Sequence, residues 1–158
     1  MLCSFSGCLN DTECTRYCPE HLESLYHVKI ALSNLPKAGQ GLFTTIELPR
    51  NTRVVQYEGK RIDLRHDHTA SREMGGDYVL NYLPHRFIDA ENEIEGGACR
   101  YCNDCTPENR RLKHAAGNNC KFQYDKLNDQ VWLITTRCIK AGEELFVGYG
   151  SSQYWDKI

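Results

Sequence analysis

Three thiols and one imidazole crowd the start of the chain. Cys3-Ser-Phe-Ser-Gly-Cys8 is followed, after a spacer of nine residues, by Cys18-Pro-Glu-His21. Zinc takes four sulfur or nitrogen ligands in a tetrahedron, and ligand pairs a few residues apart let a short loop close on it. The C-x4-C and C-x2-H spacings meet that demand, with Gly7 easing the turn inside the first pair, and Cys14 is a spare able to replace His21 or Cys18. Unligated thiols on a loose tail are the alternative. A second group, Cys99-Arg-Tyr-Cys102-Asn-Asp-Cys105 with His114 and Cys120 behind it, has C-x2-C-x2-C spacing and alone would suggest another metal. Lys37-Ala-Gly-Gln-Gly-Leu-Phe43 holds G-x-G at Gly39 and Gly41, where missing side chains let the backbone pass close to a ligand. It lacks the third glycine and the βαβ setting of a dinucleotide site, so a plain turn also explains it. Tyrosines stand beside glycines in Val55-Gln-Tyr57-Glu-Gly59 and in Gly142-Glu-Glu-Leu-Phe-Val-Gly-Tyr149-Gly150, with Tyr154-Trp155 beyond.

These groups need a scaffold, and the chain supplies one core's worth of apolar residues. It has 158 residues, 41% apolar, with 19 Lys+Arg against 21 Asp+Glu. The resulting charge of −2 has the wrong sign for holding nucleic acid through phosphate contacts and suits a basic peptide better. No apolar run approaches the roughly 18 residues that span a bilayer, and Met1-Leu2-Cys3-Ser4 does not begin a secretion signal. A soluble, unsecreted chain with reduced or metal-bound cysteines is expected, rather than a disulfide framework.

Residues 1–24 hold too few aliphatic side chains to order themselves, so something else must staple them. From Val28 onward, short β-branched and aromatic runs alternate with Gly, Asn, Asp and Pro. Val54–Tyr57, Tyr78–Tyr82, Phe87-Ile88, Phe122–Tyr124, Val131–Thr136 and Leu145–Val147 are predicted as strands. Asp63–Met74 is the one stretch considered for helix, and without a broad apolar face before Gly75-Gly76 it is predicted as a surface turn of helix or a loop. The fold is expected to be mainly β.

The motif order A-G-Q-G-L-F, Q-Y-E-G, a Tyr-led strand, C-R-Y-C-N-D-C with N-N-C-K-F, then K-A-G-E-E-L-F-V-G-Y-G resembles the SET-domain protein lysine methyltransferases from about residue 28 to the end. The resemblance implies several small sheets with a knot-like carboxy-terminal arrangement, divided as a zinc module over 1–24 and a SET domain over 25–158. It implies that Gly39, Gln40, Gly41 and Leu42 hold the methionine end of S-adenosylmethionine by their backbone, and that Tyr78 touches the cofactor. The family's R-F-x-N-H-S-C appears as Arg100-Tyr101-Cys102-Asn103-Asp104-Cys105, so Arg100, Asn103 and Asp104 fall in the cofactor segment, with Asn103 on the adenosine side and Asp104 where the family has histidine. Tyr149 matches the catalytic tyrosine, Tyr57 the wall of the lysine channel, and Trp155 with Tyr154 would stack on adenine. Val147 stands where many members carry Phe or Tyr, and Thr106–Gly117 is an inserted basic loop.

The implied chemistry has a physical requirement. A sulfonium methyl is displaced by a neutral amine, whereas free lysine, with a pKa of about 10.4, is almost wholly protonated at neutral pH. A narrow aromatic channel disfavours the ammonium, as does the sulfonium charge. The expected partner is a lysine-containing protein, favoured to be a histone tail, without nucleic acid or membrane, in the nucleus or alternatively the cytoplasm. Two other readings stay open: a SET-like binding module without turnover, and a methyltransferase for a non-histone protein.

Overall fold

The computed structural model describes residues 1–12, 14–66, 77–93, 95–105 and 117–148. Among the described residues nine strands form three three-stranded sheets, all ladders antiparallel. In chain order they are β1 Val28–Leu32, β2 Gln40–Thr44, β3 Arg53–Gln56, β4 Lys60–Asp63, β5 Val79–Leu83, β6 Arg86–Asp89, β7 Cys120–Asp125, β8 Gln130–Thr135 and β9 Glu144–Leu145. The sheets run β1-β2-β9, β3-β8-β7 and β4-β6-β5.

β7 and β8 form the longest ladder, six residues each, because Val131, Leu133 and Phe122 alternate inward while Asp125 organises the turn. The Asp125 carboxylate accepts the amides of Leu127 and Asn128 and the Asn128 side chain, which holds it below the ordinary carboxylate range. Leu42, Ile88, Leu133, Ile139, Leu145, Val28, Val131 and Val147 are fully buried and join the sheets in one apolar core.

The strand expectations hold with small shifts of boundary, and three strands were not foreseen. β4 carries Lys60, Arg61 and Asp63 with Ile62 alone buried, so it shows no apolar run. β2 starts inside the G-x-G segment: Gly39 turns the chain at φ +69° just before it, and Gly41 already pairs with Ala31. The plain-turn alternative therefore applies to Gly39 only.

A helix forms where none was considered. Helix α1 spans Pro19–Tyr26, with proline in its first turn and His27 closing it in the left-handed region at φ 55°. Pro favours a first helical turn because its missing N–H has no partner there anyway. Only Leu22 of these eight residues is buried, which explains why no apolar stripe announced the helix. Asp63 ends β4, Leu64–His66 form a turn, and the remainder of the Asp63–Met74 stretch lies outside the described residues. No described helix is long and apolar enough to cross a membrane.

The 144–147 segment carries the carboxy-terminal topology. Leu145 pairs with Leu42, Phe146 bridges Asn103 in parallel, and Val147 bridges Cys120 in parallel. The Val147 amide donates to Asn103 O on one side, while the Phe146 carbonyl accepts from Cys120 on the other. The segment is thus held between Asn103 on one side and Asn119-Cys120 on the other.

Candidate functional site

The amino-terminal ligand set converges. The Cys3, Cys8, Cys18 and His21 donor atoms all lie within 4.8 Å of one another. Cys3 Sγ is 3.6 Å and Cys18 Sγ 3.1 Å from His21 Nδ1, and Cys8 Sγ is 3.9 Å from Cys18 Sγ. A tetrahedron with bonds of about 2.0–2.3 Å has edges of about 3.5–3.8 Å, so the set fits zinc. Helix α1 supplies two of the ligands, Cys18 as its N-cap and His21 one turn on, which points both to the same face. The Cys18 amide donates to Cys3 Sγ at 3.2 Å, and Phe5 stacks on His21 with centroids 3.9 Å apart. A hydrogen bond from the His21 amide, opposed by burial and helped by the His21 ring and Asn10, holds the Cys18 thiol down to about 6. Thiolate is the ligating form. Cys14 stands outside the cluster.

The second cysteine group is of another kind. Cys99, Cys102, Cys105 and Cys120 are all buried, and burial pushes the thiols of Cys99 and Cys102 well up and that of Cys120 to about 12. These are neutral core side chains, and among the described residues no second metal-ligating group forms around them. His114 lies outside the described residues.

The residues of the expected cofactor site fall into two groups joined by the 100–103 segment. In the first, Asn103 Nδ2 donates to Gln40 O at 2.9 Å and approaches Glu144 Oε1 at 3.4 Å. The Glu144 carboxylate accepts the Ser33 hydroxyl at 2.6 Å and the Asn34 amide at 2.8 Å, and a Cβ at Gly41 would collide with it. Gly41 is therefore required by a close approach on its inner side, whereas the space beside Gly39 is open, the room a ligand needs. Leu42 is wholly buried and offers only its backbone. Asp104 Oδ1 accepts from Asn118, whose own Oδ1 accepts the Cys105 amide.

In the second group, the Tyr57 hydroxyl donates to Tyr78 O at 2.8 Å, and the Tyr57 ring meets Phe122 edge-on at 5.4 Å. The Arg100 guanidinium lies 4.0 Å from the centre of the Tyr78 ring and 5.1 Å from that of Tyr101. It donates to Ala90 O, Glu91 O and the Tyr101 hydroxyl. Arg100 is thus engaged within the protein on every nitrogen and braces Tyr78. Tyr149, Trp155, Tyr154 and the 106–116 part of the inserted loop lie outside the described residues.

Glu144, Asn119, Glu58 and Arg16 were not foreseen. Glu144 is 3% exposed, and an acidic residue inside the apolar run E-L-F-V was its one local signal. Asn119 binds the 144–147 segment twice, donating to Glu144 O and accepting the Phe146 amide.

Residues 39–150 match the family described as the SET domain, most of the chain and every motif of both groups. The chain belongs to the SET domain family. It is 26% identical to histone-lysine N-methyltransferase SETD2 of Homo sapiens, over 93% of this chain and 6% of that protein. It is 29% identical to histone-lysine N-methyltransferase EZH2 of Chaetomium thermophilum, over 79% of this chain and 8% of that one. A third relative, the H3 lysine-36 specific histone-lysine N-methyltransferase of Chaetomium globosum, is 26% identical over 91% of this chain and 16% of its own length. The chain therefore spans less than a fifth of the length of these curated relatives. SET domain membership accounts for the way β2, the 100–103 segment and the 144–147 segment meet in one place.

Proposed function

We infer that this chain carries an S-adenosylmethionine-dependent protein lysine N-methyltransferase, with a histone tail as favoured substrate and the nucleus as its place of action. Residues 1–24 serve as its zinc-stapled module and residues 25–158 as its transferase domain. The observation that carries the reading is the 2.9 Å hydrogen bond from Asn103 to Gln40 O, which closes the G-x-G strand onto the 100–104 segment beside the open space at Gly39. SET domain membership and relatives named histone-lysine N-methyltransferases support the same reaction class.

When bound, S-adenosylmethionine supplies an electrophilic methyl on a sulfonium. The Gly39–Leu42 backbone and Asn103, with Asp104 and Trp155, bind and orient that group. Tyr78 touches the cofactor, and Tyr57 walls an aromatic channel in which a lysine ammonium is disfavoured, so the amine enters its neutral form after losing a proton to solvent. The Tyr149 hydroxyl orients the amine in line with the methyl, and alignment of this kind can supply about 7–11 kcal/mol of a barrier. The amine nitrogen gains the methyl, and the carbon–sulfur electron pair stays on sulfur as a neutral thioether.

The test is transfer of labelled methyl from S-adenosylmethionine to purified core histones, with a mixture of cytosolic proteins in parallel. Label on histone lysine supports the reading, label confined to cytosolic proteins replaces the substrate, and cofactor binding without transfer makes the chain a binding module.

A further inference from the structure

Arg16 lies between Cys14 and Cys18, inside the ligand loop, and its guanidinium reaches out of that loop. Nη2 donates to Glu58 Oε1 at 2.6 Å, across 42 positions of sequence. The Arg16 carbonyl accepts the Ser4 amide at 2.7 Å, which ties its backbone to the ligand loop. Its Nε is buried and, among the described residues, is the one such side-chain nitrogen or oxygen without a hydrogen-bond partner. A buried donor left unmade is costly, so this placement is not the one packing alone would select.

Glu58 directly follows Tyr57, and its carboxylate also rests on the backbone of Gly97, where a Cβ would meet Oε2. Gly97, at φ +57°, precedes the 3-10 turn Ala98–Tyr101 that carries Arg100. The same stretch of the ligand loop makes a second link: the Tyr101 hydroxyl donates to Cys14 O at 2.8 Å. A cavity of about 40 Å³, lined by Thr15, Arg16, Tyr17, Glu58, Gly97 and Trp132 among others, sits at the junction. Directional polar links therefore join the loop to this part of the domain.

We propose that Arg16 is a positioning residue for the transferase site: through Glu58 it holds the segment that carries Tyr57, so the lysine channel depends on an intact Cys/His loop. This rests on the transferase reading above. The loop then contributes to the reaction without touching substrate or cofactor, and loss of metal acts on lysine capture before it acts on cofactor binding.

The experiment compares zinc-loaded full chains carrying Arg16→Ala, Arg16→Lys, Glu58→Gln and, as control, Arg65→Ala, whose exposed pair with Asp63 is remote from the loop. Arg16→Ala should raise KM for the protein substrate on the order of 10-fold, the scale on which small misplacements act. The calorimetric Kd for S-adenosylmethionine should stay within about threefold, with zinc retained. Amide exchange should quicken in peptides covering 54–62 and not in β7, residues 120–125, and Arg16→Lys should recover most of the loss. KM and exchange indistinguishable from Arg65→Ala would overturn the proposal, as would equal losses in cofactor affinity and in 120–125 protection, the mark of a merely structural residue. If Arg16→Ala fails to fold, Glu58→Gln and Arg16→Lys carry the same comparison. A wild type that methylates nothing removes the transferase reading, and exchange at 54–62 then decides on its own whether Arg16 holds that segment.

Discussion

In the loop of residues 3–18 the buried side chains are Cys3, Thr15 and Cys18, whereas in the β3-β8-β7 sheet they include Val54, Val55, Phe122, Val131, Leu133 and Ile134. The loop brings four donor atoms together and is tied by a few backbone bonds, among them Cys3 N to Asn10 O at 2.9 Å and Ser4 N to Arg16 O at 2.7 Å. The sheet keeps its shape through continuous ladders backed by apolar burial. Thiols occur in both regions in different settings: in the loop Cys18 is held down to about 6 while Cys8 beside it is raised, and in the core burial pushes Cys120 up to about 12. The residue type is shared, and the setting differs: convergent donor atoms in the loop, apolar burial in the core.

The largest effect tests the loop. Structural zinc contributes about 10–16 kcal/mol of apparent binding free energy in small modules, so chelation should release most amide protection over residues 1–18 while β7 and β8 remain protected. Hydrogen exchange by mass spectrometry reads this, and simultaneous loss in β7–β8 would mean that the two regions are not independent. Next, Leu133→Ala should lower unfolding stability by about 2–5 kcal/mol, read by denaturant titration, with zinc content unchanged. Loss of metal in that variant would break the comparison from the other side.

The thiols sharpen it further. At pH 8 iodoacetamide should label exposed Cys138 in the zinc-loaded protein, Cys3, Cys8 and Cys18 should join on chelation, and Cys99, Cys102 and Cys120 should stay unlabelled. Alkali gives the matching stability signature. Because the folded pKa of Cys120 lies above the unfolded value near 9, its contribution is complete below pH 9 and is lost as pH rises through about 12. Unfolding titrations from pH 8 to 11 should show that decline, and a flat profile would place the thiol in contact with water. The smallest effect is at the β7–β8 turn. Asp125 titrates below its ordinary value, so its contribution is present at neutral pH and fades as pH falls below about 4. Asp125→Asn should lower Tm slightly at pH 7, and by progressively less as pH falls below about 4.

What could be read from the chain follows the range of the interactions. The ligand loop was legible because C-x4-C and C-x2-H place donors within reach whatever surrounds them. β7 and β8 were legible because Phe122, Tyr124, Val131 and Ile134 suit a pleated, half-buried surface. β4 and helix α1 were not, since each buries a single side chain, Ile62 or Leu22, and one apolar residue makes no pattern. Gly41 was seen as a ligand-facing glycine, and its second reason, the Glu144 carboxylate against its Cα, was invisible because Glu144 and its partner Ser33 lie 111 positions apart. Arg16 and Glu58 escaped for the same reason across 42 positions. Tyr149 and Trp155 were assigned by motif order, and lie outside the described residues.

The seat of the 144–147 segment between Asn103 and Cys120 also sets an order of birth. Ser33, Gly41 and Asn103 have all left the ribosome long before Glu144 arrives to tie them together, and at about 5–20 residues per second the wait is on the order of ten seconds. The nascent chain meanwhile carries β2 with one flank unpaired, an edge open to other chains. The Cys/His loop needs only its first 21 residues to close on a metal. A cell making this protein therefore holds a Cys/His loop able to close beside an unfinished sheet, and that sheet is complete only when the 144–147 segment slots home.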